Sequence, residues 1–201
     1  TDDIEVDGFV NTSILGEHNL TYTVEDKEGM ETSVNRYITV IFETEEPFQV
    51  YNGNFELDTG GWTFDKPGGE ADWSVEDDIL NVDISDPGNE WWQLQIYQLI
   101  EIEENQTYTI EVTAKGSNNK SLGLGFEDTT AGYEMVAGGA YAIELSDSFE
   151  THTFEFQSDR TIDAAKFVLY LGQMGADEAA ANVEIDSVTI SLANYTAGDL
   201  A

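Results

Sequence analysis

Hydrophobic and polar residues alternate along most of the chain in short runs, a pattern that predicts β-strands and leaves little room for helices. The first clear pair of runs covers Leu20–Val24 and Asn35–Phe42. Between them, Lys27-Glu28-Gly29 predicts the turn of a hairpin. An acidic segment that ends in a proline, residues 43–47, follows and is typical of a short linker.

Beyond this linker, strand-like runs recur at the spacing of a β-sandwich. They cover about Val50–Leu57, Ile79–Ile84, Trp91–Ile102, Thr107–Ala114, Leu122–Glu127, Phe149–Phe156, Lys166–Leu171 and Val183–Leu192. Only the stretch near Asp177–Ala181 indicates a helical turn. The pattern predicts an all-β chain with a partial sandwich of about four strands at 1–45, a complete sandwich at 46–195 and a tail at 196–201.

Composition narrows the choice of partners. Forty-one acidic residues against seven Lys and Arg give a net charge of −34, which disfavours nucleic acids, anionic membranes and acidic polysaccharides. Neutral glycans and cations remain. The chain has no cysteine, which excludes disulfides and thiolate metal sites and favours secretion. It has no signal-like segment, and we expect it to be part of a longer protein.

The first piece resembles the closing strands of bacterial immunoglobulin-like repeats. Those strands end in a Y-x-V-x-D-x-x-G turn followed by R-x-V-x-V, and this chain has LTYTVEDKEGMETSVNRYITV from Leu20 to Val40. Here the residues after Arg36 match with a shift of one position. The resemblance implies a spacer domain whose opening strands are missing, with no site of its own.

Residues 48–193 resemble the family 4 and 9 carbohydrate-binding modules. The motifs are NGNFELDTGGW from Asn52, WWQLQIYQLIEIEENQTYTIEVTAKG from Trp91, FVLYLGQ from Phe167 and VEIDSVTI from Val183. They occur in the family's order across nearly the whole second domain. The resemblance implies a jelly-roll sandwich with an open ligand face, attached to an extracellular glycoside hydrolase.

A sugar-binding face needs flat aromatic rings for the apolar face of the sugar and polar side chains for its hydroxyl groups. By position in the family motifs, Trp92, Gln95, Gln98, Tyr133, Lys166 and Tyr170 are expected to supply them. Trp91 and Asp65 are further candidates, although one tryptophan of the pair is open to a core role. Tyr141 either caps the cleft or is an ordinary loop aromatic. Since strict alternation would place Gln95 opposite Trp92 and Gln98, the motif requires a bulge or a twist.

The resemblance also implies a structural calcium ion. Glu56 and Asp186 belong to the first and last predicted strands of the module, which can lie side by side in a jelly roll. Carbonyl oxygens of Asn54 and near Asp78 would complete an all-oxygen ligand set. The alternative is that these are ordinary surface acids among forty-one.

Enzymatic motifs are not found. The two histidines, His18 and His152, lie in different predicted domains, and no nucleophile elbow or zinc motif occurs. Glu101 and Glu103 have the spacing of an inverting glycosidase pair but nothing in the sequence gives them different environments. We therefore predict a monomeric, non-catalytic module that binds a neutral β-glucan; a structural or adhesive surface protein and a weak glycosidase are the alternatives.

Overall fold

The computed structural model describes residues 4–10, 16–40, 50–138, 141–175 and 180–193. By its internal contacts the chain divides into two units, residues 1–44 and 45–201. The predicted linker at 43–47, residues 177–179 of the predicted helical turn and the predicted tail at 196–201 lie outside the described residues.

The described part of the first unit is one antiparallel sheet of three strands in the order β1-β2-β3. The strands are Ile4–Asp7 (β1), Gly16–Glu25 (β2) and Glu31–Val40 (β3). The predicted hairpin is confirmed: the turn between β2 and β3 is held by Asp26, whose carbonyl accepts from Gly29 N–H at 3.0 Å. Gly29 adopts φ +81°, a conformation that glycine reaches without steric cost.

The described part of the second unit consists of two antiparallel sheets. One has six strands: Thr63–Asp65 (β4), Gln95–Ile102 (β7), Ser121–Asp128 (β9), Glu134–Met135 (β10), Tyr141–Glu144 (β11) and Ile162–Tyr170 (β13). The other has five: Glu70–Glu76 (β5), Ile79–Asp86 (β6), Thr107–Gly116 (β8), Glu150–Gln157 (β12) and Ala181–Leu192 (β14). Two short 3-10 turns cover Trp91–Gln93 and Val136–Gly138.

The sheets are ordered β10-β9-β13-β7-β4, with β11 also on β9, and β12-β8-β14-β6-β5. Alternate residues of both sheets face a shared hydrophobic core. Its aromatic centre joins the two sheets, because Phe126 of β9 stacks on Phe156 of β12 at 4.3 Å between ring centroids. The predicted all-β sandwich is confirmed.

Two sequence-based assignments of strands were wrong. Val50–Leu57 is a series of turns instead of a strand, organised by the buried Asn52, whose amide donates to the carbonyls of Asp58 and Gly60. The run predicted from Trp91 begins with a 3-10 turn, and its strand starts at Gln95. The strands β4, β5, β10 and β11 were not predicted; they lie at sheet edges and three of them have four residues or fewer.

Candidate functional site

An open groove of about 620 Å³ lies on the face of the six-stranded sheet that points away from the core. Four strands of the sheet, β4, β7, β9 and β13, and the 3-10 turn at Trp91–Gln93 supply most of its surface. The residues lining it are Asp65, Trp91, Trp92, Gln95, Tyr97, Leu99, Glu127, Thr129, Tyr133 and Lys166.

Plain strand alternation builds the floor of this groove. On β7, Gln95, Tyr97 and Leu99 face the groove while Ile96 and Ile100 face the core. The pairing of β7 with β13 is continuous over this stretch, so no bulge is present there. Strict alternation does not apply between Trp92 and Gln95, because Trp92 belongs to the preceding 3-10 turn, and the strand reaches this arrangement without the predicted bulge.

A network of buried polar groups forms part of the groove floor. The Lys166 ammonium donates to Gln95 Oε1 and is 3.2 Å from Glu127 Oε2. The Tyr170 hydroxyl donates to Glu127 Oε1 at 2.7 Å, and Gln95 Nε2 donates to the Trp92 carbonyl. Buried charged groups are tolerated when they are paired and hydrogen-bonded in this way, and the resulting arrangement is stiff.

Aromatic rings rise around this polar floor. Trp92 is 40% exposed and Tyr133 is 61% exposed, so both offer ring surface to solvent. Trp91 meets the buried Tyr170 edge to face, with 4.4 Å between ring centroids. Lys166 Nζ lies 4.5 Å from the centre of the Tyr97 ring and 5.4 Å from that of Tyr133. The groove therefore combines flat apolar surfaces with a fixed hydrogen-bond donor.

Two tyrosines stay protonated, Tyr97 in the groove and Tyr170 beneath it. Burial, followed by the nearby Asp65 carboxylate, raises the pKa of the Tyr97 phenol above its usual value. Burial and the hydrogen bond to Glu127 likewise raise the pKa of Tyr170 above its usual value. Both phenols are therefore hydrogen-bond donors at neutral pH.

Six of the nine predicted ligand residues line the groove. They are Asp65, Trp91, Trp92, Gln95, Tyr133 and Lys166. The structure brings them together from four separate chain segments, and their contact with a glycan stays a prediction. Between the two tryptophans, Trp92 is the exposed one and Trp91 is partly covered through its contact with Tyr170.

Gln98 does not face the groove, and its predicted place on the open face was wrong. It is 5% exposed on the core-facing side of β7, where its Nε2 donates to the Tyr51 carbonyl at 2.6 Å. Tyr51 N–H in turn donates to Gln98 Oε1 at 3.1 Å. Since a fully paired amide can be buried at little cost, Gln98 serves to tie the turns after Val50 to the sheet.

Two of the tyrosines predicted to contact the ligand do not line the groove. Tyr170 is fully buried beneath Trp91 and cannot touch a ligand in the groove, although it supports Glu127 from below. Tyr141 points away from the groove: its hydroxyl donates to the Glu155 carbonyl at 2.9 Å and its ring packs on Phe154. The sequence showed the residue types but not which face of each strand they occupy.

Four groove residues were missed: Tyr97, Leu99, Glu127 and Thr129. Tyr97 and Leu99 follow Gln95 at steps of two, so alternation counted from Gln95 would have found them. Glu127 and Thr129 come from β9 and the loop after it, and only strand pairing brings Glu127 opposite Lys166.

The four residues predicted to bind calcium, Asn54, Glu56, Asp78 and Asp186, are all exposed. Glu56 lies in turns instead of the first strand, yet the segment still reaches β14, because Val188 N–H donates to the Gly53 carbonyl at 2.8 Å. Among the described residues no three Asp, Glu or His side chains converge as a metal site. The oxygen-only donor set fits calcium if backbone carbonyls supply the remaining ligands.

The two glutamates of the alternative glycosidase hypothesis do not have different environments. Glu101 and Glu103 are both exposed and neither lines the groove. No helix in the described ranges is long and apolar enough to span a bilayer.

Two family models match this chain. Residues 49–180 match the family model described as carbohydrate binding domain, and residues 1–40 match that of the bacterial surface protein Ig-like domain. A comparison with curated proteins finds no match.

Several solved structures share the fold of the second unit. A structure described as "CBM4 structure and function" is 22% identical, with a TM-score of 0.63 over 71% of this chain and 98% of its own. The N-terminal cellulose-binding domain of β-1,4-glucanase C from Cellulomonas fimi is 21% identical, with a TM-score of 0.51 over 68% and 91%. The second N-terminal cellulose-binding domain of that enzyme is 18% identical, with a TM-score of 0.56 over 74% and 95%.

Proposed function

The chain belongs to the carbohydrate binding domain family, and we propose that it binds a neutral polysaccharide in the groove of the six-stranded sheet. The observation that carries the proposal is the pairing of exposed rings with a buried donor network. Trp92 and Tyr133 offer flat surfaces, while Lys166 is held in the groove by Gln95. Sugar rings need both elements, one for their C–H face and one for their hydroxyl edge.

A neutral β-glucan such as laminarin, mixed-linkage glucan or cellulose is the favoured ligand. The charge of −34 repels uronate-containing chains, and the ammonium of Lys166 is already balanced by Glu127. Two of the similar structures are cellulose-binding domains of a β-1,4-glucanase, which supports a glucan. Because the groove is open and sugar–water hydrogen bonds are exchanged for similar ones, we expect a Kd on the order of 10 µM.

The role that follows is accessory. As a module of an extracellular glycoside hydrolase, the chain would keep the enzyme near its substrate by raising effective concentration, without chemistry of its own. The match of residues 1–40 to bacterial surface Ig-like domains supports an extracellular or cell-surface location. The same match favours the second candidate, a structural or adhesive surface protein that binds no glycan.

Calorimetry and affinity electrophoresis with laminarin, mixed-linkage glucan and cellulose oligomers test the proposal. Trp92→Ala and Tyr133→Ala are each expected to raise Kd about 5- to 30-fold, the equivalent of about 1–2 kcal/mol of lost ring contact. Phe149→Ala and Tyr37→Ala are matched controls, since these rings are 38% and 60% exposed and lie outside the groove. Wild-type protein that is retarded by none of these glycans would favour the adhesive candidate. Groove variants that bind glycan as the controls do would show that the glycan does not bind in this groove.

We further propose that a structural calcium ion is held by Glu56 and Asp186 with oxygen atoms of Asn54 and near Asp78. The support is the hydrogen bond from Val188 to Gly53, which ties the segment of Asn54 and Glu56 to the strand of Asp186. An ion bridging these segments would bind the folded state alone and so stabilise it.

A further inference from the structure

Residues of both neighbouring strands contact the Lys166 ammonium. Lys166 lies on β13, and Gln95 from β7 and Glu127 from β9 hold its Nζ from opposite sides. Gln95 also donates to the Trp92 carbonyl, and Glu127 also accepts from Tyr170. One continuous set of contacts therefore joins the ammonium to the turn that carries the exposed tryptophan.

The same geometry leaves one donor for a ligand. An ammonium has three N–H groups, and among the described residues its polar partners are one hydrogen-bond acceptor, Gln95 Oε1, and one ion-pair partner, Glu127 Oε2 at 3.2 Å. The rings of Tyr97 and Tyr133 lie within 4.5 and 5.4 Å of Nζ and line the groove. The third N–H is thus available to a sugar hydroxyl next to these rings.

From this arrangement, and resting on the proposed glycan-binding function, we infer that Glu127 is a positioning residue for recognition. It holds the Lys166 ammonium at a position where a hydroxyl of a sugar stacked on Tyr133 can accept a hydrogen bond from it. A free lysine side chain loses about 2 kcal/mol of rotamer entropy on ordering, and a lysine already held in place has lost most of it before the ligand arrives.

The direct test is Glu127→Gln, which keeps the shape of the side chain but removes the charge that holds Lys166. We expect Kd for laminarin or cellulose oligomers to rise about 3- to 10-fold, as for the loss of one charge-assisted contact. Tyr170→Phe removes the hydroxyl that orients Glu127 and should raise Kd about 3-fold. Glu101→Gln is the matched control, because Glu101 is an exposed glutamate of the same sheet that does not line the groove.

A second measurement follows Lys166 without any glycan. Acetic anhydride labelling, read by mass spectrometry, should modify Lys166 more slowly than the exposed Lys27 in the wild-type protein. Glu127→Gln should speed Lys166 labelling about 3-fold or more while Lys27 is unchanged. A bound oligosaccharide should protect Lys166 in the wild-type protein.

The two measurements separate the two claims. Faster labelling and weaker binding in Glu127→Gln, with Glu101→Gln behaving as wild type, support the inference. Unchanged labelling of Lys166 in a folded Glu127→Gln protein overturns it, whether or not glycans bind. If the labelling rises but the wild-type protein binds no glycan, the proposed function fails and Glu127 is left as the residue that holds Lys166 in place. Weaker glycan binding with no change in Lys166 labelling also counts against a positioning role for Glu127.

Discussion

Replacing Gln98 by methionine separates a structural role from a ligand-binding role at one residue. The substitution keeps the length of the side chain and removes both hydrogen bonds to the Tyr51 backbone, which measure 2.6 and 3.1 Å. Each buried hydrogen bond contributes about 1 kcal/mol net, and keeping the Tyr51 N–H and carbonyl buried without the Gln98 amide adds to the cost. We expect the free energy of unfolding to fall by about 3 kcal/mol in total.

That magnitude is large enough to measure. In a domain of about 150 residues, 1 kcal/mol corresponds to about 2–4 °C in Tm, so Gln98→Met should lower Tm by about 6–12 °C. Tryptophan fluorescence during thermal unfolding gives Tm, and calorimetry at a temperature where the variant is folded gives Kd for the glycan. The exposed Gln157 provides the control, since Gln157→Met should leave both quantities unchanged.

Because Gln98 faces the core side of β7, the folded variant should bind glycan with the wild-type Kd. The opposite pattern, weakened binding at an unchanged Tm, would refute the reasoning and restore Gln98 to the ligand face.

Two further predictions concern the proposed calcium ion and the side chain of Arg160. Chelation with EDTA should lower Tm by about 5–11 °C if calcium is present at about 100 times its Kd, because such binding stabilises the fold by about 2.7 kcal/mol. Asp186→Asn should abolish this response. An equal Tm with and without chelator would count against the ion. Arg160→Met removes contacts of 3.5 Å to Asp128 and Glu134, which flank the Tyr133 loop, and should raise the glycan Kd about 2- to 3-fold in calorimetry. The wild-type Kd should rise between about 50 and 500 mM NaCl and that of the variant should not; identical salt responses would show that Arg160 does not position Tyr133.

The residues of the site differ in how far they could be foreseen. Trp92, Gln95, Tyr133 and Lys166 were found by their place in family motifs, and all four line the groove. Glu127 carried no motif signal, because its importance arises from pairing with a residue 39 positions later in the chain.

Alternation along the chain was enough to determine the fold class, the hairpin of the first unit and most central strands of the sandwich. This works because a strand with one buried face must alternate, and that need is local. Charge and the absence of cysteine likewise limited the kinds of partner without any coordinates.

The tertiary structure alone decided which face each polar side chain occupies. Gln95 and Gln98 are the same residue type three positions apart, yet one lies on the groove floor and the other is buried against Tyr51. Tyr170 is buried beneath Trp91, and the hydroxyl of Tyr141 donates to the Glu155 carbonyl away from the groove. The physical reason is that a buried amide or phenol is stable only where its partners are, and those partners come from distant segments brought together by strand pairing.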